Sequence, residues 1–204
     1  MGENETGKKK LNPKYLEKIK SLTLLDDGFF SICFADDTEC AELVLRILLD
    51  KDDLKVTSVK TQYRMKNLRG HDIILDAFAT DSEGVRYNVE IQRSSHGAVP
   101  KRARYYSSMI DANILSSGDD YTLLTETYVI FITEKDVLGK GLPIYHIDRT
   151  IAETDDAFDD GSHIVYVNAS VVDDSRLGRL MHDFKCAIPD DMKYAVLADK
   201  TFER

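Results

Sequence analysis

The feature that most constrains this chain is a short turn between two alternating segments. Residues 71–80 place Ile73, Leu75, Ala77 and Ala79 on one side and Asp72, Ile74, Asp76 and Phe78 on the other. Residues 85–92 set Val85, Tyr87, Val89 and Ile91 against Arg86, Asn88, Glu90 and Gln92. A period of two marks strands with two distinct faces. Asp81-Ser82-Glu83-Gly84 between them is turn chemistry, and a three-residue loop with Gly84 in the left-handed position closes an antiparallel hairpin. That loop sets Asp76 directly opposite Glu90 and Ile74 opposite Gln92.

Cross-strand neighbours have Cβ atoms about 4.5–5.5 Å apart, where two like charges are unfavourable unless compensated. Spacing alone leaves two readings. The pair is either incidental on a solvated polar face, or it is a cation site, and apolar Ile74 and Phe78 beside Asp76 make an unpaired charge costly. Oxygen-only ligands completed by water suit Mg²⁺ or Mn²⁺ better than zinc. Gln92, two residues beyond Glu90, points to the same face and could orient a water or a phosphate oxygen.

Around the hairpin the pattern is mixed α/β. Asp36 followed by Glu39 resembles a capping box and opens a helix buried on most sides through Leu49. Residues 54–64 read as a strand of imperfect alternation, and Pro100 opens a helix expected to end at Gly118. Residues 127–133 form a buried strand, followed by strands at 143–149 and 163–169 and a helix at 176–186. No closing helix is expected after Lys193-Tyr194-Ala195. Residues 1–20 read as a polar, lysine-rich lead-in and residues 21–204 as one domain, within the size a single core supports.

The order of Glu42, Asp76 and Glu90-Ile91-Gln92 resembles the PD-(D/E)XK nuclease superfamily, and within it the recombination-promoting nucleases and transposases. Asp27-Gly28-Phe29-Phe30 with Phe34, Tyr87-Asn88-Val89, Arg104-Tyr105-Tyr106 and Gly118-Asp119-Asp120-Tyr121 with Leu124 match as well. The resemblance implies a restriction-endonuclease-like core, a central mixed β-sheet flanked by helices. It implies that Asp76 and Glu90 hold the metal, that the Ile91 backbone carbonyl could assist, and that Gln92 stands where many members carry Lys. Glu42 matches the extra acid some members place on the first core helix, and it equally suits an ion pair with Arg46 one turn on. The implied activity is Mg²⁺-dependent DNA hydrolysis, with Mn²⁺ as substitute. The alternative is a nuclease-fold module that binds nucleic acid or partner proteins without turnover, because a Gln amide can neither carry charge nor accept a proton at neutral pH.

A net charge of −9 argues at first against a nucleic-acid partner. Between Lys60 and Tyr106, however, nine Lys or Arg face five acids, a local +4 that leaves −13 for the rest. Arg93, Lys101, Arg102 and Arg104 are the candidate phosphate contacts, or else solvated charges. A homodimer would suit double-strand cleavage. Three cysteines without CxxC spacing, and no stretch fit for a signal peptide or membrane span, point to a cytoplasmic protein. The five histidines lack ligand spacing, and there is no phosphate loop or GxSxG elbow.

Overall fold

A computed structural model describes residues 13–67 and 70–202; the first twelve residues of the lead-in and Arg69 lie outside them. Six strands form one mixed sheet in the order β1-β2-β3-β4-β6-β5, comprising β1 (Val56–Met65), β2 (Ile73–Asp81), β3 (Arg86–Gln92), β4 (Thr127–Thr133), β5 (Ile144–Ile147) and β6 (Ser162–Asn168). The hairpin strands β1, β2 and β3 run antiparallel, β3-β4-β6 are parallel, and β5 returns antiparallel at the far edge. This is the mixed sheet of a restriction-endonuclease-like core. Helices α2 (Asp27–Phe34), α3 (Thr38–Leu49), α5 (Arg176–Lys185) and α6 (Ala195–Phe202) contribute to the core on one face. The other face is covered by α4 (Pro100–Ile114). Helix α1 (Pro13–Lys20) precedes them, and no helix among the described residues is long and apolar enough to cross a membrane.

The hairpin turn is pinned by its own side chain. The Asp81 carboxylate accepts from Glu83 N and Val85 N at 2.9 Å each and from the Tyr87 hydroxyl at 2.7 Å, while Gly84 adopts φ +86°. The ladder then runs Thr80↔Arg86 to Ala77↔Val89, the register expected from a three-residue loop.

Alternation along β2 departs from a simple two-face pattern. Ala77 and Ala79 pack into the core under α2 and α3, but Ile73 and Leu75 join Phe78 under α4. On β1, Val59 lies in the first core while Met65 and Tyr63 belong with the second. Both changes occur beside Gln62, which sits at φ +49° between the pairs Thr61↔Ala77 and Tyr63↔Leu75. A single left-handed residue rotates the strand pair and breaks the period. The poor alternation of β1 has a second source, a register shift between Val56 and Ser58 that puts Val56 and Val59 in the same core three residues apart, and Ile74 is half-exposed rather than packed beside Asp76.

Three further expectations are corrected. The N-cap of α3 is Asp37, which accepts from Cys40 N at 2.9 Å, and Asp36 instead takes a left-handed φ of 55°. Helix α4 stops at Ile114, and Gly118 (φ +96°) belongs to the turn that follows. A closing helix does form as α6, and the segment that leads into it is anchored from elsewhere in the chain. Fully buried Asp183 on α5 accepts from Lys193 N and Tyr194 N at 2.8 Å each.

Candidate active site

At Asp76 and Glu90 the two strands are joined by crossed contacts. The Asp76 amide donates to Glu90 Oε1 at 3.2 Å, and the Ile91 amide donates to Asp76 Oδ2 at 2.9 Å. Each carboxylate thus takes a backbone donor from the other's strand, and the Ile91 peptide is fixed beside both. The two acids sit side by side, as the register requires. Glu90 has no exposed surface and Asp76 little.

Burial raises the Glu90 pKa most, the neighbouring Asp76 charge adds to this, and Arg102 works against both. Asp76 is likewise raised by burial and by Asp27, while the Ile91 amide, Arg102 and Gln62 favour its charged form. An acidic pair with both pKa values pushed upward is short of positive charge.

Arg102, from the first turn of α4, supplies part of it. Its Nη2 donates to Glu90 Oε2 at 3.1 Å and to the Tyr106 hydroxyl at 2.5 Å. Its Nη1 donates to Gly97 O at 2.8 Å and approaches Gln92 Oε1 at 3.4 Å. The guanidinium carbon lies 4.8 Å from the Tyr106 ring centre. Gln92 fits because residue 97 is glycine; a Cβ there would fall 1.7 Å from Gln92 Oε1. Two clefts flank the site. One of about 320 Å³ is lined by Asp26, Asp27, Ile91, Gln92, Arg93 and Ser94 among others, and one of about 560 Å³ includes Ile74, Lys101, Arg102, Tyr105 and Tyr106.

The remaining candidates divide. Glu42 stays away from the pair, bound to Arg46, to Lys55 Nζ at 3.2 Å and to Val56 N at 3.0 Å. Val56 pairs with Asp81, five residues along β2 from Asp76, a separation of about 16 Å at ~3.3 Å per residue. Glu42 therefore ties α3 to β1, apart from Asp76 and Glu90. The acid near Asp76 is Asp27, at the start of α2. The 30/33/34 spacing of buried Phe30, Cys33 and Phe34 was the available signal for that helix. Arg93 is held by Asp26 at 2.7 Å and Glu134 at 3.5 Å. Arg102 turns inward rather than to solvent, whereas Lys101 and Arg104 lie on the exposed side of α4 with no ion pair among the described residues.

Among the described residues no group of three or more His, Cys, Asp or Glu is placed to hold a metal. The oxygen donors brought together here are the two carboxylates of Asp76 and Glu90. Mg²⁺, which retains several waters and takes one or two carboxylates, fits that set, whereas zinc prefers nitrogen or sulfur.

Residues 40–176 match the sequence model of a family described as PD-(D/E)XK nuclease family transposase. The chain belongs to that family. The matched span holds Asp76, Glu90, Gln92 and Arg102, and begins after Asp27. Comparison with curated proteins and with solved structures gives no match. PD-(D/E)XK nucleases generally use divalent metals, in keeping with the oxygen-rich donor set of this family member.

Proposed function

We propose that the protein is a metal-dependent endonuclease that hydrolyses DNA phosphodiester bonds. The observation that carries this reading is the juxtaposition of two buried carboxylates, both short of compensating charge, in a member of a nuclease family. Asp76 and Glu90 would hold Mg²⁺ or Mn²⁺, with the Ile91 carbonyl as a further oxygen. When bound, such an ion polarises the scissile phosphate and makes water a nucleophile at neutral pH. Gln92 orients that water through its amide, and Lys101 and Arg104 contact phosphates flanking the cut. Attack forms a new P–O bond to the water oxygen, whose proton passes to solvent, and breaks the bond to the leaving sugar oxygen, which takes a proton from solvent.

The test is incubation of supercoiled plasmid with Mg²⁺ or Mn²⁺. Wild type nicks or linearises it, whereas Asp76→Asn and Glu90→Gln do not; equal cleavage by either variant removes its residue from the site. A second reading, binding without turnover, draws on the neutral Gln92 and on Arg102 seated against Glu90. Salt-sensitive DNA binding without cleavage under any divalent ion would favour it.

A further inference from the structure

Hydrolysis of a phosphodiester needs positive charge near the phosphate, and Gln92 has none to give. Arg93 is committed to Asp26 and Glu134. Among the described residues the cation paired with either carboxylate is Arg102. Its guanidinium is also tethered by two contacts independent of the acids, the Gly97 carbonyl and the Tyr106 hydroxyl. The side chain keeps 31% of its surface exposed and borders the 560 Å³ cleft that also takes in Lys101 and Tyr105.

These contacts define a group able to change partner without leaving the site. A divalent ion at Asp76 and Glu90 would bring two positive charges where Arg102 now brings one, so the guanidinium becomes surplus there and is repelled. Gly97 and Tyr106 would keep it within reach, and a planar fork of donors suits two non-bridging phosphate oxygens as well as a carboxylate.

We propose that Arg102 is the positively charged catalytic group of this site, exchanging Glu90 for the scissile phosphate when a divalent ion and nucleic acid bind. This rests on the endonuclease reading above. It assigns Arg102 a role different from a peripheral phosphate contact, because Arg102 and the ion compete for one carboxylate in the absence of nucleic acid.

The experiment measures Mn²⁺ binding by calorimetry without DNA, alongside single-turnover plasmid cleavage, for wild type, Arg102→Gln, Arg102→Lys and the double variant Arg102→Gln/Gln92→Lys. Arg102→Gln binds Mn²⁺ more tightly than wild type, yet its cleavage rate falls by about 100-fold or more. Arg102→Lys stays within about tenfold of wild type, and the double variant recovers part of the missing rate by returning charge to β3. Weaker Mn²⁺ binding by Arg102→Gln assigns the residue to scaffolding and overturns the proposal. Unchanged cleavage by Arg102→Gln overturns it too, as does an Arg102→Lys variant as slow as Arg102→Gln. If Arg102→Gln does not fold, Arg102→Lys decides the matter alone: a rate within about tenfold of wild type supports the proposal and a slower one overturns it. Wild type that binds no Mn²⁺ removes the endonuclease reading and this proposal together. Wild type that binds Mn²⁺ without cleaving removes the endonuclease reading and the catalytic role, while a tighter Arg102→Gln still identifies the competition for Glu90.

Discussion

A methyl group at Gly97 moves Gln92 without altering a single charge, which makes Gly97→Ala a sharp probe of the site. The new Cβ would lie 1.7 Å from Gln92 Oε1, 2.8 Å from Gln92 Cδ and 3.4 Å from Arg102 Nη1. Restoring an ordinary separation requires the amide to retreat by about 1.5 Å or more. The clashing atoms are the far end of a flexible side chain, so the backbone need not move. Gly97 has no positive φ to defend, and alanine lowers the entropy of the unfolded chain by about 0.4–1 kcal/mol. The retreating amide gives up only its long 3.4 Å approach to Arg102, so net stability should change by less than about 1 kcal/mol. Catalysis should suffer more, because a misplacement of about 1 Å costs on the order of 100-fold in rate. That corresponds to about 2.7 kcal/mol on the barrier. The assay pairs single-turnover plasmid nicking in Mg²⁺ with thermal denaturation. In a Gln92→Ala background Gly97→Ala should have no further effect, since both act through one side chain. Cleavage by Gly97→Ala within about threefold of wild type, or a fully additive double variant, would refute this link between Gly97 and Gln92.

Other expectations concern the site's charge, its surface and the fold's last helix. Because burial raises Glu90 and Asp76 in the folded protein, the stability tied to their protonation is present below the unfolded carboxylate range and lost as pH rises through the folded values. A divalent ion must displace that proton, so the rise in melting temperature with Mg²⁺ should be larger near pH ~8 than near pH ~6; a shift independent of pH would contradict it. Replacing Lys101 and Arg104 by serine should reduce the slope of log affinity for duplex DNA against log salt by about 1 per residue, and an unchanged slope would place the nucleic acid elsewhere. Asp183→Ala leaves the Lys193 and Tyr194 amides without their buried acceptor, which should cost about 2–4 kcal/mol in urea denaturation. A loss below about 0.5 kcal/mol would mean that α6 does not depend on this anchor.

The central hairpin was legible because turn chemistry and strand period agreed with each other. Gly84 and Asp81 fixed the loop, and the loop fixed Asp76 against Glu90. What escaped were features decided by contacts distant in sequence. The left-handed Gln62 answers to its place in the folded strand pair and to Ser31 Oγ at 2.8 Å, and no local pattern announces it. The segment leading into helix α6 is anchored by Asp183, ten residues upstream of Lys193. Glu42 was suspected as a ligand because it is an acid on a core helix, but acids one turn from an arginine commonly pair with it, and Arg46 does so here. Arg102 was legible as a basic residue near the site; its direction depends on how α4 docks against β3 and β4.

The crossed contacts at Asp76 and Glu90 have a consequence for how such a chain can drift in evolution. Backbone pairing between β2 and β3 stops at Ala77↔Val89, and beyond that point the strands are held by carboxylate oxygens accepting the Asp76 and Ile91 amides. The acids are therefore under two separate demands, one for charge and one for an acceptor. A descendant that abandoned hydrolysis would be released from the first demand alone. It would be expected to carry Asn at 76 and Gln at 90, which keep an oxygen for the amides, well before it could tolerate Ala or Leu there. Loss of function in this fold should thus leave amides rather than gaps.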